Sequence, residues 1–409
     1  MRILSVSNFF DTHGGGLERV AGRLSREFVH AGHVAAWAAS DADGFPDSPA
    51  ALIGLSCANP TEALTGLPMP LPGPRSVSRL RRAVRESDVV IIHDALYVPS
   101  ILAMLFARSS RKPVVLIQHI GTIGFTQPVL RGLIRLANRL VTRPMMAAAD
   151  RVVFISQTVR DEFADTHAAN ASLLVFNGVD RTVFNSAEGQ PRSVVRKRWG
   201  LPEEDPLAVF VGRFVEKKGL SVLRALAESR PGITFALLGK GPLDPAGWGL
   251  PNVRVLGQQS QQDIADLYRA GDVLVLPSVG EGYPLVIQEA MACGLPVICG
   301  DDSARADPDA TQWLQGVPID LSDPEGSAGH CAAALDRLLQ SPPDRTAMAR
   351  YAAETYDWRR MAETILAGLQ PAGSSYSALP RHDAGNTRTG SVAPLGSGRP
   401  NRSASASLK

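Results

Sequence analysis

What most constrains the fold of this chain is a unit repeated along it. A short, uninterrupted run of apolar, often β-branched residues leads into a loop rich in glycine or polar residues, then into a longer stretch of helical periodicity. In the first half the runs are Arg2–Ser7, Val34–Ala39, Val89–Ile92, Val114–Ile117, Val152–Ile155 and Leu173–Phe176. In the second they are Leu207–Val211, Thr234–Leu238, Val253–Leu256, Val273–Leu276 and Pro296–Cys299. Runs that are apolar throughout, without alternation, read as strands buried on both faces of a parallel sheet. Helical stretches such as Leu17–His30, Ile101–Arg108, Pro128–Ala148, Thr158–Phe163, Leu220–Glu228, Gln262–Ala270 and Val286–Cys293 follow many of them. The alternation predicts an α/β, doubly wound architecture.

A chain of 409 residues, at about 150 per domain, has material for two or three domains. The polar, turn-rich stretch Asn185–Pro206 marks a boundary, so residues 1–185 and 186–355 are expected to be separate domains. From Pro371 to Lys409, 17 of 39 residues are Ser, Gly or Pro. Such a tail has almost nothing to bury, and disorder is expected. Net charge is +4 over residues 1–185, −6 over 186–370 and +4 over 371–409, unlike the uniformly basic footprint of a nucleic-acid binder. No apolar run reaches the ~18–20 residues that span a bilayer. Met1–Phe10 reads as a first strand and not as a signal peptide. Cys57, Cys293, Cys299 and Cys331 show no metal-ligand spacing. Free thiols in a reducing cytosol are the simplest account.

Four segments put polar chemistry at strand ends, where open α/β sheets bind ligands. The first loop, Asn8-Phe-Phe-Asp-Thr-His-Gly-Gly-Gly-Leu-Glu18, sets Gly14, Gly15 and Gly16 before a helix. Backbone amides and the helix dipole favour an anion there. A dinucleotide fingerprint needs a third glycine where Arg19 stands; a flexible turn is the plain alternative. Val211-Gly-Arg213-Phe-Val-Glu-Lys-Lys218-Gly219 sets two cations five residues apart after a buried strand. The pair matches a diphosphate, against the alternative of solvated surface charges. Glu281-Gly-Tyr-Pro-Leu-Val-Ile-Gln-Glu289 places two carboxylates where they can share a crevice. They suit sugar hydroxyls, a glycosidase acid/nucleophile pair or local surface pairing. His119 ends a fourth buried run and is as often structural as functional; His93-Asp94 is a weaker candidate of the same kind.

Together these residues resemble the retaining glycosyltransferases of glycosyltransferase family 4. The resemblance spans residue 1 to about 370. It rests on the glycine-containing first loop, Asn177-Gly-Val-Asp180, Val211–Gly219, Leu237–Pro242 and, most specifically, Glu281–Val297 with its two glutamates eight residues apart. It implies a GT-B fold: two Rossmann-like domains with a cleft between them, and a last helix over 356–370 crossing back to the first domain. It implies that Arg213 and Lys218 bind the donor diphosphate and stabilise the leaving group, that Glu281 contacts the transferred sugar, and that Glu289 binds the ribose. Gly15 and Gly16 then face the phosphate, and His119 lies near the donor sugar. Gly212, Gly282, Tyr283, Pro284 and Leu285 belong to the same donor-binding loops.

The implied activity is transfer of a sugar from a nucleotide diphosphate sugar to an acceptor, a sugar or a lipid-linked or growing polysaccharide, with retained configuration. No cofactor or metal is implied, and no nucleic-acid partner. Two rivals keep the fold: a hydrolase, epimerase or phosphorylase, and a non-catalytic nucleotide-sugar-binding partner. Where relatives run into a Gly-Gly loop, this chain has Asp301–Asp307, read as a solvated loop. Arg131, Arg135, Arg139 and Arg143 recur every four residues among leucines, and Arg75, Arg79, Arg81, Arg82 and Arg85 form a second cluster. Such a face can rest on an anionic membrane, which would put the chain in the cytoplasm or at the inner face of the membrane. A solvated helix face is the alternative.

Overall fold

Seven apolar segments of the first half pair into one parallel sheet: β1 (Arg2–Phe9), β2 (Val34–Ser40), β3 (Ala51–Leu55), β4 (Val89–His93), β5 (Val114–Gln118), β6 (Arg151–Phe154) and β7 (Ser172–Leu174). A computed structural model describes residues 1–60, 69–121, 128–165, 172–187 and 189–369, the side chains of 128–131 excepted. The strand order is β3-β2-β1-β4-β5-β6-β7. Register is fixed by runs such as Ile3 opposite Val89 and Ile91 opposite Val115. All five residues of β4 and of β5 are buried, because helices cover both faces of this sheet. Truncating a side chain such as Ile91 to alanine there costs about 2–5 kcal/mol.

The second half repeats the plan with β8 (Leu207–Val211), β9 (Thr234–Leu238), β10 (Val253–Gly257), β11 (Val273–Leu276), β12 (Val297–Gly300) and β13 (Leu314–Val317), in the order β10-β9-β8-β11-β12-β13. Arg196, 1% exposed, anchors the connection between halves. It donates to the carbonyls of Pro202, Glu203 and Asp205 at 2.7–2.8 Å and to Asp272 at 2.9 Å. Both sheets lie in one compact unit, Met1–Gln370. The helix Trp358–Leu366 carries the chain back: Trp358, Met361, Ile365 and Leu366 pack in a cluster with Ile3, Leu24 and Ile117 of the first half.

Three local readings differ from the structure. The stretch read as one helix over Pro128–Ala148 is broken into Pro128–Ala137, a π-turn over Asn138–Thr142 and Arg143–Ala148; Pro144, which has no amide to donate, falls just after the irregular turn. Asp301–Ala304 is a short helix and not a loop, its two aspartates sitting at the helix N-terminus where negative charge is favoured. β3 and β13 were not among the strands read from the sequence. Each is short and interrupted by a glycine, Gly54 or Gly316, which dilutes the apolar signal. The tail expected at 371–409 lies outside the described residues.

Because every strand in each sheet is parallel, the loops that leave β1, β4 and β5 share one edge, and those leaving β8 and β11 share the corresponding edge of the second sheet. Every candidate segment sits on one of these loops or on the helix that follows.

Candidate active site

The second half supplies the charged groups. After β8, Gly212 donates to the carbonyl of Leu238 at 3.0 Å, and Arg213 stands exposed. Among the described residues Arg213 has no ion-pair partner. A single turn over Glu216–Lys218 then leads into the helix Leu220–Ser229. Lys218 Nζ lies 2.8 and 2.7 Å from the two carboxylate oxygens of Glu281, and the two side chains are only 13% and 15% exposed. Burial by itself would raise the Glu281 carboxyl, but the ammoniums of Lys218 and Lys217 outweigh it and hold the group below the ordinary glutamate range. Glu281 is therefore held as an anion against the Lys218 side chain.

The loop after β11 carries Glu281 to the helix Leu285–Ala292. Gly282 is obligatory where it stands: a Cβ there would lie 2.2 Å from the carbonyl oxygen of His119, so only glycine lets the two halves touch. The Tyr283 side chain turns away into the core. Its hydroxyl meets that of Tyr356 at 2.8 Å, and Tyr356 donates to Asp307 at 2.7 Å. Tyr283 thus ties the loop to the returning chain through its side chain. Pro284 precedes the helix, and Leu285 packs into the first-half cluster. Glu289, on the same helix, does not share the Lys218 pair; its Oε1 accepts from Arg19 Nη2 at 2.9 Å, across to the first half.

On the first-half side, the helix Gly16–His30 begins at the glycine loop. Gly15 is the residue before it, and a Cβ at Gly15 would fall 2.0 Å from Glu18 Oε2. The Glu18 carboxylate is folded back over the glycine, the position a capping glutamate takes three residues after the cap. A Cβ at Gly16 would meet nothing within 4 Å. Burial pushes the Glu18 carboxyl up, opposed by its own backbone, His13, Asn8 and Arg213, so the first loop and the Arg213 loop share one electrostatic environment.

His119 directly follows β5 and is 4% exposed. Its Nε2 is 3.2 Å from His93 Nδ1, and His93 Nε2 is 3.0 Å from Ser5 Oγ. Burial pushes His119 down to about 3 and His93 well below its ordinary value, so both imidazoles are neutral. Asp94, directly after β4, has φ 67°. Its Oδ1 accepts from Gln118 Nε2 at 2.8 Å and from Ala95 N at 2.9 Å, and burial pushes its carboxyl up to about 6.

The structure thus brings Arg213, Lys218, Glu281, Gly282 and His119 to neighbouring loops and sets Glu289 against Arg19. Glu18 and Arg19 were not read as site residues. The spacing of Glu18 three residues after Gly15 was the available signal; nothing in the sequence marks Arg19. Among the described residues, no group of three or more His, Cys, Asp or Glu is arranged to hold a metal ion, and the four cysteines carry free thiols.

Comparison with known proteins places these features. The family described as Glycosyltransferase Family 4 matches residues 14–183, and that described as Glycosyl transferases group 1 matches 191–355. A D-inositol 3-phosphate glycosyltransferase of Mycolicibacterium smegmatis is 27% identical over 258 residues, 56% of this chain and 55% of that protein. The protein of the same name from Mycobacterium bovis is 28% identical over 261 residues, 56% of this chain and 50% of that one. The chain therefore spans about half the length of the curated relatives it matches. Among solved structures, sucrose-phosphate synthase from Thermosynechococcus elongatus superposes with a TM-score of 0.67 at 20% identity, covering 89% of this chain and 97% of that one. Anabaena HepE in complex with UDP-glucose gives 0.64 at 19% identity, covering 89% and 98%. The two family matches run through nearly all of both halves and both superpositions share the two-sheet architecture; the chain belongs to the family 4 glycosyltransferases and has the GT-B fold.

Proposed function

We propose that this protein transfers a sugar from a nucleotide diphosphate sugar to an acceptor hydroxyl, with retention at the anomeric carbon. The observation that carries the reading is the cationic group formed by exposed Arg213, unpaired among the described residues, and by Lys218 locked to Glu281, on adjacent loops facing the first glycine loop. When the bond between the anomeric carbon and the diphosphate breaks, its electron pair goes to the diphosphate oxygen. Cations already in place there favour the transition state over the ground state. Arg213 offers a forked donor and Lys218 a point charge. Glu281 holds Lys218 in position and contacts the sugar, Glu289 takes the ribose hydroxyls, and Gly15, Gly16, Gly212 and the backbone of 282–285 line the donor. The acceptor hydroxyl supplies the new bond and releases its proton. His119, neutral, can donate or accept a hydrogen bond at the sugar but brings no charge.

In this reading residues 1–185 form the acceptor-side domain, 186–355 the donor-side domain, and 356–370 the strap between them. The binding of UDP and UDP-glucose by a structural relative makes a uridine nucleotide the first donor to try. Thermal melting with UDP-, GDP- and ADP-sugars tests the donor, since a ligand bound only by the native state raises the melting temperature; product analysis with candidate acceptors tests transfer. A raised melting temperature with at least one of these donors, and a glycosylated product, is expected. No shift with any of them would overturn the reading, and free sugar in place of a glycosylated product would make the protein a hydrolase.

No helix among the described residues is long and apolar enough to cross a membrane. We place the chain in the cytoplasm, with a face suited to anionic lipid. The helices Pro74–Glu86, Val98–Ser109 and Arg143–Ala148 cover one side of the first sheet. Leu133, Leu136 and Leu140 are 59%, 51% and 63% exposed beside exposed Arg135 and Arg139. Arg143 is drawn off by Asp165 at 2.6 Å, and the side chain of Arg131 lies outside the described residues. Sedimentation with anionic vesicles is the test, with loss of binding in Leu136→Asp expected; no sedimentation of the unaltered protein at low salt would refute this placement.

A further inference from the structure

Arg19 lies on the first-half helix, and the carboxylate it grips lies on the second half. Its Nη2 is 2.9 Å from Glu289 Oε1, with the two side chains 35% and 7% exposed. Four residues on, one helical turn along the same face, Arg23 reaches Asp180 at 3.1 Å and Gln261 at 3.2 Å. Arg23 therefore keeps this helix docked whether or not Arg19 is engaged. Arg19 is thus free to change partners without undocking the helix.

The consequence concerns the ribose site, and rests on the glycosyltransferase reading above. A carboxylate as buried as Glu289 needs a partner in the free protein. Arg19 is that partner. The guanidinium already occupies an acceptor site of Oε1, so a ribose hydroxyl that takes that site competes with Arg19, and part of its interaction energy goes into weakening the ion pair. We propose that Arg19 is a positioning residue that holds Glu289 oriented in the free protein and is displaced by the nucleotide's ribose, setting donor affinity by competition. A direct role at the diphosphate would have the opposite sign, because removing a cation that touches phosphate weakens binding.

The test is Arg19→Met, which keeps the apolar stem of the side chain and removes its charge. Affinity is measured by calorimetry for three probes: UDP, uridine and pyrophosphate. Displacement predicts that Arg19→Met binds UDP and uridine about two- to fivefold more tightly, the range for a partly exposed ion pair, and pyrophosphate unchanged, because it carries no ribose. Glu289→Gln should weaken UDP and uridine and leave pyrophosphate as it was. A weaker UDP and pyrophosphate affinity in Arg19→Met overturns the proposal and makes Arg19 a diphosphate ligand. Unchanged affinity for all three probes overturns it as well, leaving the pair purely structural. An unaltered protein that binds neither UDP nor the corresponding GDP and ADP would instead overturn the functional reading itself, a result separate from any effect of the variant.

Discussion

The two walls of the site are built on opposite electrostatic principles. The wall from the first sheet is buried and carries no free positive charge among its described groups: His93 and His119 are held neutral by burial, and Asp94 and Glu18 are carboxyls pushed upward by it. The wall from the second sheet is cationic, with Arg213 exposed and Lys218 Nζ held 2.7 and 2.8 Å from the two Glu281 oxygens. In the proposed reaction, a departing diphosphate is stabilised by the cations of the second wall. In the same proposal, a hydroxyl-bearing acceptor would find hydrogen-bonding groups on the first wall without competing for the cations. Two sheets of the same architecture thus differ in the charge that their loops present.

The largest expected effect breaks the cationic wall. Lys218→Ala should lower turnover by about 10²–10³-fold, the scale for losing one electrostatic stabiliser of a developing anion. It should also lower stability, because Glu281 is left nearly buried and unpaired. Combining it with Glu281→Gln separates the two effects: denaturant unfolding should recover while turnover stays low. Near-normal turnover in Lys218→Ala would remove the contrast between the walls.

Next in size is a change at the point where the walls touch. Gly282→Ala forces a Cβ to 2.2 Å from the His119 carbonyl, and backbone on both sides must shift. Overpacking of this kind costs about 1–3 kcal/mol, and steady-state assays should show a loss of about 10–100-fold in turnover through misplaced groups. If Gly282→Ala melts and turns over like the unaltered protein, the halves are not held together at this contact.

The smallest effect sharpens the first wall. In the unfolded chain a histidine takes a proton near pH 6.5, whereas native His119 does not until about 3. Between those values the unfolded state binds more protons, so stability falls as pH drops, by at most about 1.4 kcal/mol per pH unit for each such histidine. His93 acts in the same direction, and Asp94, raised to about 6, opposes it in the acid part of the range. His119→Gln should flatten the loss seen by chemical denaturation between about pH 6.5 and 5.5. An unchanged slope would mean that His119 is not held neutral by the fold.

The architecture was legible because a strand covered on both faces is built largely of apolar residues: β8 and β11 are apolar throughout, and β4, β5 and β9 each carry a single polar residue at one end. Elements with a weaker signature were not: β3 and β13 are broken by glycine, and the helix Pro74–Glu86 buries only Ser76, Leu80 and Val84 beneath a row of arginines. Within the site, the motif residues were readable by type and spacing, but their pairings were not. Glu281 and Glu289, eight residues apart, turned to different cations, Lys218 and Arg19, one from each half of the chain.

Alone, the sequence determined that the chain builds two covered parallel sheets and which strand-end loops carry glycines, cations and carboxylates, because periodicity and residue type are local properties. Tertiary structure decided charge state and partnership. Whether His119 is charged depends on burial beneath other segments, whether Tyr283 faces a ligand or the core depends on Tyr356, 73 residues away, and Glu289 meets Arg19 across 270 residues of chain. Desolvation and long-range pairing are properties of the packed molecule, and no local pattern encodes them.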